Sequence, residues 1–216
     1  VLTAPDIDIV VELIGGYDTA KRVILDAIAA GKHVVTANKA LLALHGEEIF
    51  DAAVRKGVDL GFEASVGGGI PVIRALTEGL AGNTIESIYG IINGTSNYIL
   101  SRMTREGHSF EDVLTDAQRA GYAEADPTFD VAGIDSAHKL AILVNLAYGT
   151  PVNFKDIYTE GITNLTPIDI AYAKQFGFTI KLLGIAKLVD GEIEARVHPT
   201  MLPSASPIAQ VEDVYN

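Results

Sequence analysis

The alternation in the opening stretch constrains this chain most. Short apolar runs take turns with helix-patterned segments, and the helix patterns stop at glycines. Residues 7–14 form an apolar run closed by Gly15-Gly16, as a buried parallel strand would be. Residues 18–30 place Val23, Ile24, Ala27 and Ile28 on one helical side and stop at Gly31. A second strand is expected over 32–36, a second helix over 47–56 before Gly57, and a third strand over 58–62. The order β-α-β-α-β needs crossover connections, so it predicts a parallel sheet with helices on its faces. Ligands of such sheets sit beyond the carboxyl ends of the strands. Those ends carry Gly15-Gly16, Ala37-Asn38-Lys39 and Glu63.

The pattern changes near Gly67. Helices are expected over 70–81, with Pro71 in the first turn, and over 96–105, 110–120, 131–147 and 167–176. A long strand is expected over 84–92. Strands over 178–189 and 192–197 flank Asp190-Gly191, a strong hairpin signal. Helices mixed with antiparallel strands predict an α+β second domain.

The composition excludes several classes. Hydrophobic residues make up 48% and charged ones 20%, so the chain can bury a sizeable core. The net charge of −12, with no Lys/Arg cluster, sets nucleic-acid binding aside. Cysteine is absent, which rules out disulfides, thiolate metal sites and a cysteine nucleophile, and fits a reducing compartment. No apolar run reaches membrane-spanning length, and no signal peptide is visible. Both ends are abrupt, and both are expected to be truncated.

The most ionisable segment of this apolar chain is GYAEADPTFDVAGIDSAHK at 121–139. Asp135 and Lys139 stand four apart and share a face if residues from 131 onward are helical. Glu124 lies in the loop before Asp126-Pro127, where helix is disfavoured. A loop carboxylate beside a helical Asp/Lys pair can bind an ammonium group and move a proton; the plainer reading is a solvated loop and a surface ion pair. The apolar neighbours Val131, Ile134, Leu140, Ile142, Leu143 and Val144 argue that the pair is partly buried. His138 is expected to point aside from Lys139.

Three further segments admit a functional and a structural reading. The glycines at 67–69, after Glu63 and Val66, either ring a hard cation with carbonyls or make a tight turn. Asn93-Gly94-Thr95-Ser96 opens a helix whose free N–H groups suit a carboxylate, or is an ordinary cap formed by Thr95 or Ser96. Lys39 either points into a cofactor crevice or merely starts a helix.

The motifs ELIGG at 12–16, TANKALL at 36–42, EASVGGGIP at 63–71, NGTSNYIL at 93–100 and GYAE…D…K at 121–139 occur in one order. Together they closely resemble the homoserine dehydrogenase family, over essentially the whole chain. The resemblance implies a fold of α/β class: a partial Rossmann-like nucleotide-binding domain over 1–64, then an α+β catalytic and dimerisation domain over 65–216, truncated at its C-terminal end. It implies a cytoplasmic homodimeric oxidoreductase of threonine, methionine and isoleucine biosynthesis. The reaction would interconvert L-aspartate 4-semialdehyde and L-homoserine with NADP or NAD.

By motif position the resemblance makes Lys139 the proton donor, Asp135 the residue positioning it, and Lys39 a lysine near cofactor and substrate. Glu124, Gly94, Thr95, Tyr122 and Asp130 fall at substrate-binding positions, and Gly15, Gly16, Asn38 and Lys39 at the cofactor. Glu63, Val66, Gly68 and Ile70 fall at the ligands of a monovalent cation, Na⁺ or K⁺. The family's G-x-G-x-x-G turn is absent, so half of a cofactor site is expected to be missing. The runners-up are another two-domain NAD(P)-dependent oxidoreductase of a small aldehyde or keto acid, and an inactive dimerisation fragment.

Overall fold

The structure is a computed structural model and describes residues 2–215. The chain divides into two compact units. The first comprises residues up to 85 together with 141–154; the second comprises 86–140 together with 155 onward.

The first unit is built on β1 (Ile9–Glu12), α1 (Asp18–Ala29), β2 (His33–Thr36), α2 (Lys39–Lys56) and β3 (Leu60–Gly61). The strands are parallel in the order β1-β2-β3, with Val10 opposite Val34 and Glu12 opposite Thr36. This is the parallel sheet that the alternating sequence predicts. α1 buries Ala20, Ile24, Ala27 and Ile28, while Val23 is only half-buried. Val10 and Val34 are buried on one sheet face; Ile9, Val11 and Val35 on the other are exposed.

α2 begins at Lys39, well before residue 47. The Asn38 side chain accepts from the Leu41 N–H and starts the helix there, and Gly57 ends it in the left-handed conformation at φ 71°. After β3 the expected helix over 70–81 shrinks to α3 (Val72–Arg74), which runs into a π turn over Ala75–Gly79. Pro71 precedes α3, and the Glu63 carboxylate receives the N–H groups of Ile73 (2.9 Å) and Arg74 (3.0 Å).

The second unit contains β4 (Ser87–Gly90), α4 (Gly94–Glu106), α5 (Phe110–Arg119), α6 (Thr128–Val131), the start of α7 (Ile134–Tyr148), β5 (Tyr158–Thr159), α8 (Pro167–Gln175), β6 (Phe178–Val189) and β7 (Glu192–Pro203). Its sheet has the order β4-β6-β7-β5, antiparallel except for the β5–β7 pair. The hairpin turns at Asp190-Gly191, both at positive φ (51° and 86°), as a two-residue turn requires. β4 is shorter than the sequence suggests, and β7 continues past 197 to Pro203. β5 has two residues, too few to leave a periodic signal.

The single helix expected over 131–147 is two helices. Gly133 adopts φ +81°, and a Cβ there would sit 3.2 Å from both Thr159 and Val197 side chains. The chain therefore breaks where it approaches β5 and β7, and the Ile162 N–H holds the C-terminal end of α6 by donating to Val131 O at 2.8 Å. Successive residues of β6 point to opposite sheet faces. Leu183 and Ile185 pack with Ile91, Leu202, Ile208 and Val211. Gly184, on the other face, lies under Ile92 and Leu140, and a Cβ would come within 2.7 Å of Ile92 Cδ1. That close seat sets the depth of α7 beside β6. No helix among the described residues is long and apolar enough to cross a membrane.

Candidate active site

The second unit gathers a buried polar cluster where β4 leads into α4. Asn93 is the N-cap of α4, in place of Thr95 or Ser96: its Oδ1 accepts from the Ser96 N–H at 2.8 Å. The same amide reaches across with Nδ2, donating to Asp130 Oδ1 at 2.7 Å and Asp135 Oδ2 at 2.9 Å. Ser96 adds a tie from Oγ to the Asp130 carbonyl at 3.0 Å. Asn93 thus fixes α4, α6 and α7 around one point, a role the sequence reading did not give it. Its signal was an asparagine before glycine at a helix start, overlooked because Thr95 and Ser96 compete for the cap.

Asp135 and Lys139 lie one turn apart on α7, their side chains 7% and 16% exposed, and their charges meet at 2.8 Å. Lys139 Nζ also donates to Ile92 O at 2.8 Å. An ammonium has three protons to donate. Two are therefore committed, and among the described residues the third meets no protein acceptor. His138, the next residue, is buried beside the Phe129 ring at a centroid distance of 6.0 Å.

The other expected substrate residues are held less directly. Thr95 Oγ1 donates to Tyr122 O at 3.1 Å, and the exposed Tyr122 ring rests against Tyr98 at 4.8 Å. Glu124 stays on the exposed loop, its backbone carbonyl accepting from Gln118 Nε2 at 3.1 Å. Among the described residues its carboxylate makes no hydrogen bond or ion pair, and nothing joins it directly to the Asp135–Lys139 cluster. Two residues on, the Thr128 hydroxyl and then its backbone N–H hold the Asp126 carboxyl below the usual range.

Gly94 is constrained from the other end of the unit. A Cβ there would lie 2.6 Å from Val214 O, so the segment 211–215 crosses the start of α4 against bare backbone. Asn97 Nδ2 faces three carbonyls of that segment, Val211 (3.2 Å), Asp213 (3.0 Å) and Tyr215 (2.9 Å). Lys181, fully buried, adds Nζ contacts to Asn97 Oδ1, Ser101 Oγ and Val211 O. Burial pushes the Lys181 ammonium below the ordinary lysine range, with Glu212 and Asp213 partly opposing the shift.

In the first unit the expected cofactor residues lie at the carboxyl edge of the parallel sheet. Gly15 and Gly16 have φ of +76° and +71°, and a Cβ on either would meet nothing within 4 Å. Backbone that only glycine adopts readily, open on its outer side, fits close approach of a dinucleotide. Asn38 Nδ2 donates to Gly16 O at 2.8 Å, and half-buried Lys39 is the first residue of α2.

Of the expected cation ligands, Glu63 has each carboxylate oxygen engaged by a backbone N–H, and Ile70 O accepts from the Val72 N–H at 2.8 Å. Val66 is buried, and Gly68 and Ile70 are exposed. No group of three or more His, Cys, Asp or Glu residues among the described residues is arranged to hold a metal ion.

The fold and these two clusters define a class: a parallel α/β unit of the kind that binds nucleotides, and an α+β unit that carries a largely buried lysine–carboxylate pair. The sequence model described as homoserine dehydrogenase matches residues 71–216, and that described as the homoserine dehydrogenase NAD binding domain matches residues 1–63. The chain belongs to the homoserine dehydrogenase family. It is 58% identical over 212 residues to the homoserine dehydrogenase of Pseudomonas aeruginosa, covering 98% of this chain and 49% of that protein. A solved homoserine dehydrogenase from Thiobacillus denitrificans superposes with a TM-score of 0.97 at 58% identity, covering 99% of this chain and 50% of that one. A hyperthermophilic archaeal homoserine dehydrogenase in complex with NADPH superposes with a TM-score of 0.78 at 30% identity, covering 93% and 57%. The chain thus spans about half the length of the curated relatives it matches.

Proposed function

We propose that the protein interconverts L-aspartate 4-semialdehyde and L-homoserine, with NADPH or NADH as the hydride carrier. The observation that carries this reading is the Lys139 ammonium, fixed by Asp135 and Ile92 O at 2.8 Å each and left with one proton to give. A bound nicotinamide supplies the hydride. The aldehyde oxygen then gains negative charge, which a fixed ammonium stabilises and protonates. Asp135 keeps that ammonium aimed, and Asn93, itself held by Asp130, keeps Asp135 in place. In the reverse direction Lys139 takes the proton back from the alcohol.

The amino-acid end of the substrate has its own partners. Glu124, exposed and uncommitted, pairs with the α-ammonium. The N–H groups opening α4 beside Gly94 and Thr95 receive the α-carboxylate, and Tyr122 shapes the wall next to Thr95. Gly15, Gly16, Asn38 and Lys39 receive the dinucleotide, with Lys39 adding positive charge at that edge of the sheet. Glu63 and the carbonyls of Val66, Gly68 and Ile70 hold Na⁺ or K⁺. The functional division follows the sequence, a nucleotide domain over 1–64 and a catalytic and dimerisation domain over 65–216, in a cytoplasmic homodimer. The test is turnover by the full-length protein. NADPH or NADH oxidation with aspartate semialdehyde, reversed with homoserine, is expected; no turnover with either substrate overturns the assignment.

A further inference from the structure

One buried acid lies outside the mechanism above. Glu12 is 1% exposed, on the sheet face where Val10 is buried beside it in β1. An apolar residue would be the easier occupant of such a place. Glu12 Oε1 accepts from the Ile14 N–H at 2.7 Å and the Gly15 N–H at 3.1 Å. Its Oε2 accepts from Thr36 Oγ1, across the strand pair, at 2.7 Å. Thr36 Oγ1 in turn accepts from the Asn38 N–H at 3.0 Å. Asn38 closes the ring by donating from Nδ2 to Gly16 O at 2.8 Å, while its Oδ1 caps α2 from the Leu41 N–H.

These hydrogen bonds run to the two loops at the carboxyl edge of the sheet. A carboxylate can accept all three donors at once, because its two oxygens offer about four lone pairs. Gln would keep one oxygen and present an amide to the other donor. Ala would leave two loop N–H groups and a hydroxyl without their acceptor.

We propose that Glu12 is a positioning residue for the nicotinamide dinucleotide, setting the Gly15-Gly16 loop and the Asn38 loop in the arrangement that receives it. This rests on the reading of the first unit as a dinucleotide site. The loops are then fixed before the ligand arrives, so ordering them costs nothing at binding.

The experiment uses the full-length protein, with direct binding of NADPH and NADH followed by nicotinamide fluorescence, together with steady-state kinetics. Glu12→Ala is expected to weaken dinucleotide binding about tenfold or more, leaving KM for homoserine at saturating dinucleotide unchanged. Glu12→Gln recovers most of the affinity. Val10→Ala, a buried change in the same strand that touches neither loop, lowers thermal stability without weakening the dinucleotide. Should Glu12→Ala fail to fold, Thr36→Val opens the same ring from the other loop and is expected to weaken dinucleotide binding severalfold, again without moving KM for homoserine. Wild-type affinity in Glu12→Ala or Thr36→Val, or equal weakening by Glu12→Ala and Val10→Ala, overturns the assignment while leaving the dinucleotide site standing. A wild-type protein that binds neither dinucleotide overturns both.

Discussion

Glu12 in the parallel-sheet unit and Asp135 in the mixed-sheet unit are almost equally buried, at 1% and 5% exposure, yet their surroundings differ in kind. Glu12 is met by two backbone N–H groups and a hydroxyl. Asp135 is met by an ammonium and a side-chain amide. Dipoles from adjacent loops fix the course of the backbone. A carboxylate facing a cation one helical turn away fixes the position of that cation. The same functional group therefore ties backbone loops together in one unit and holds a lysine side chain in the other, the proposed binding and proton-transfer roles following from what faces it.

The largest expected effect breaks the second arrangement. Lys139→Ala in the full-length protein should lower kcat by about 10²–10⁴-fold, the usual contribution of a positioned acid, with NADPH affinity unchanged. Unchanged turnover removes Lys139 from the chemistry, and a parallel loss of NADPH affinity removes the distinction between the two sites. Next comes Asp135→Ala, which leaves the partly buried Lys139 ammonium without its counter-charge and should destabilise the fold by up to about 3 kcal/mol in denaturant unfolding. A loss near that of an exposed pair would mean that the cluster is solvated.

Asn93→Ala should have a smaller effect, about 1–3 kcal/mol, because it strips one amide from two carboxylates and the cap from α4. Circular dichroism melts compared with Thr95→Ala check it, since Thr95 caps nothing here and should shift the melt far less.

The smallest effect concerns pH. Burial lowers the Lys181 pKa, so the folded chain releases that proton at lower pH than the unfolded chain does. Between those two titrations the unfolded state binds more protons, and stability contributed by this residue rises with pH. Lys181→Met should remove that rise, flattening the alkaline side of the unfolding free energy against pH. An identical slope in both proteins would show that Lys181 titrates as it does in the unfolded chain.

Much of the fold was legible because its signals are local. Gly31 and Gly57 follow the helices they close, both at positive φ, and the Asp190-Gly191 turn sits at the tip of its hairpin. The Asp135/Lys139 spacing was legible for the same reason, since a helix turns four-residue spacing into contact. The break at Gly133 was not, because it answers to Thr159 and Val197, residues far along the chain. Asn93 was hidden similarly: a cap can be read locally, but its grip on Asp130 and Asp135 spans separations of 37 and 42 residues.

The sequence by itself determined the parallel β-α-β-α-β unit, the hairpin, the one-turn spacing of acid and lysine, and the family, because periodicity, turn chemistry and motif order are carried by neighbouring residues. Tertiary structure alone decided that Glu12 is buried and bound to Thr36, that Asn93 joins three helices, and that residues 211–215 lie against Gly94. Each of those depends on which distant donor meets which acceptor once water has been excluded, and no window of sequence contains both partners.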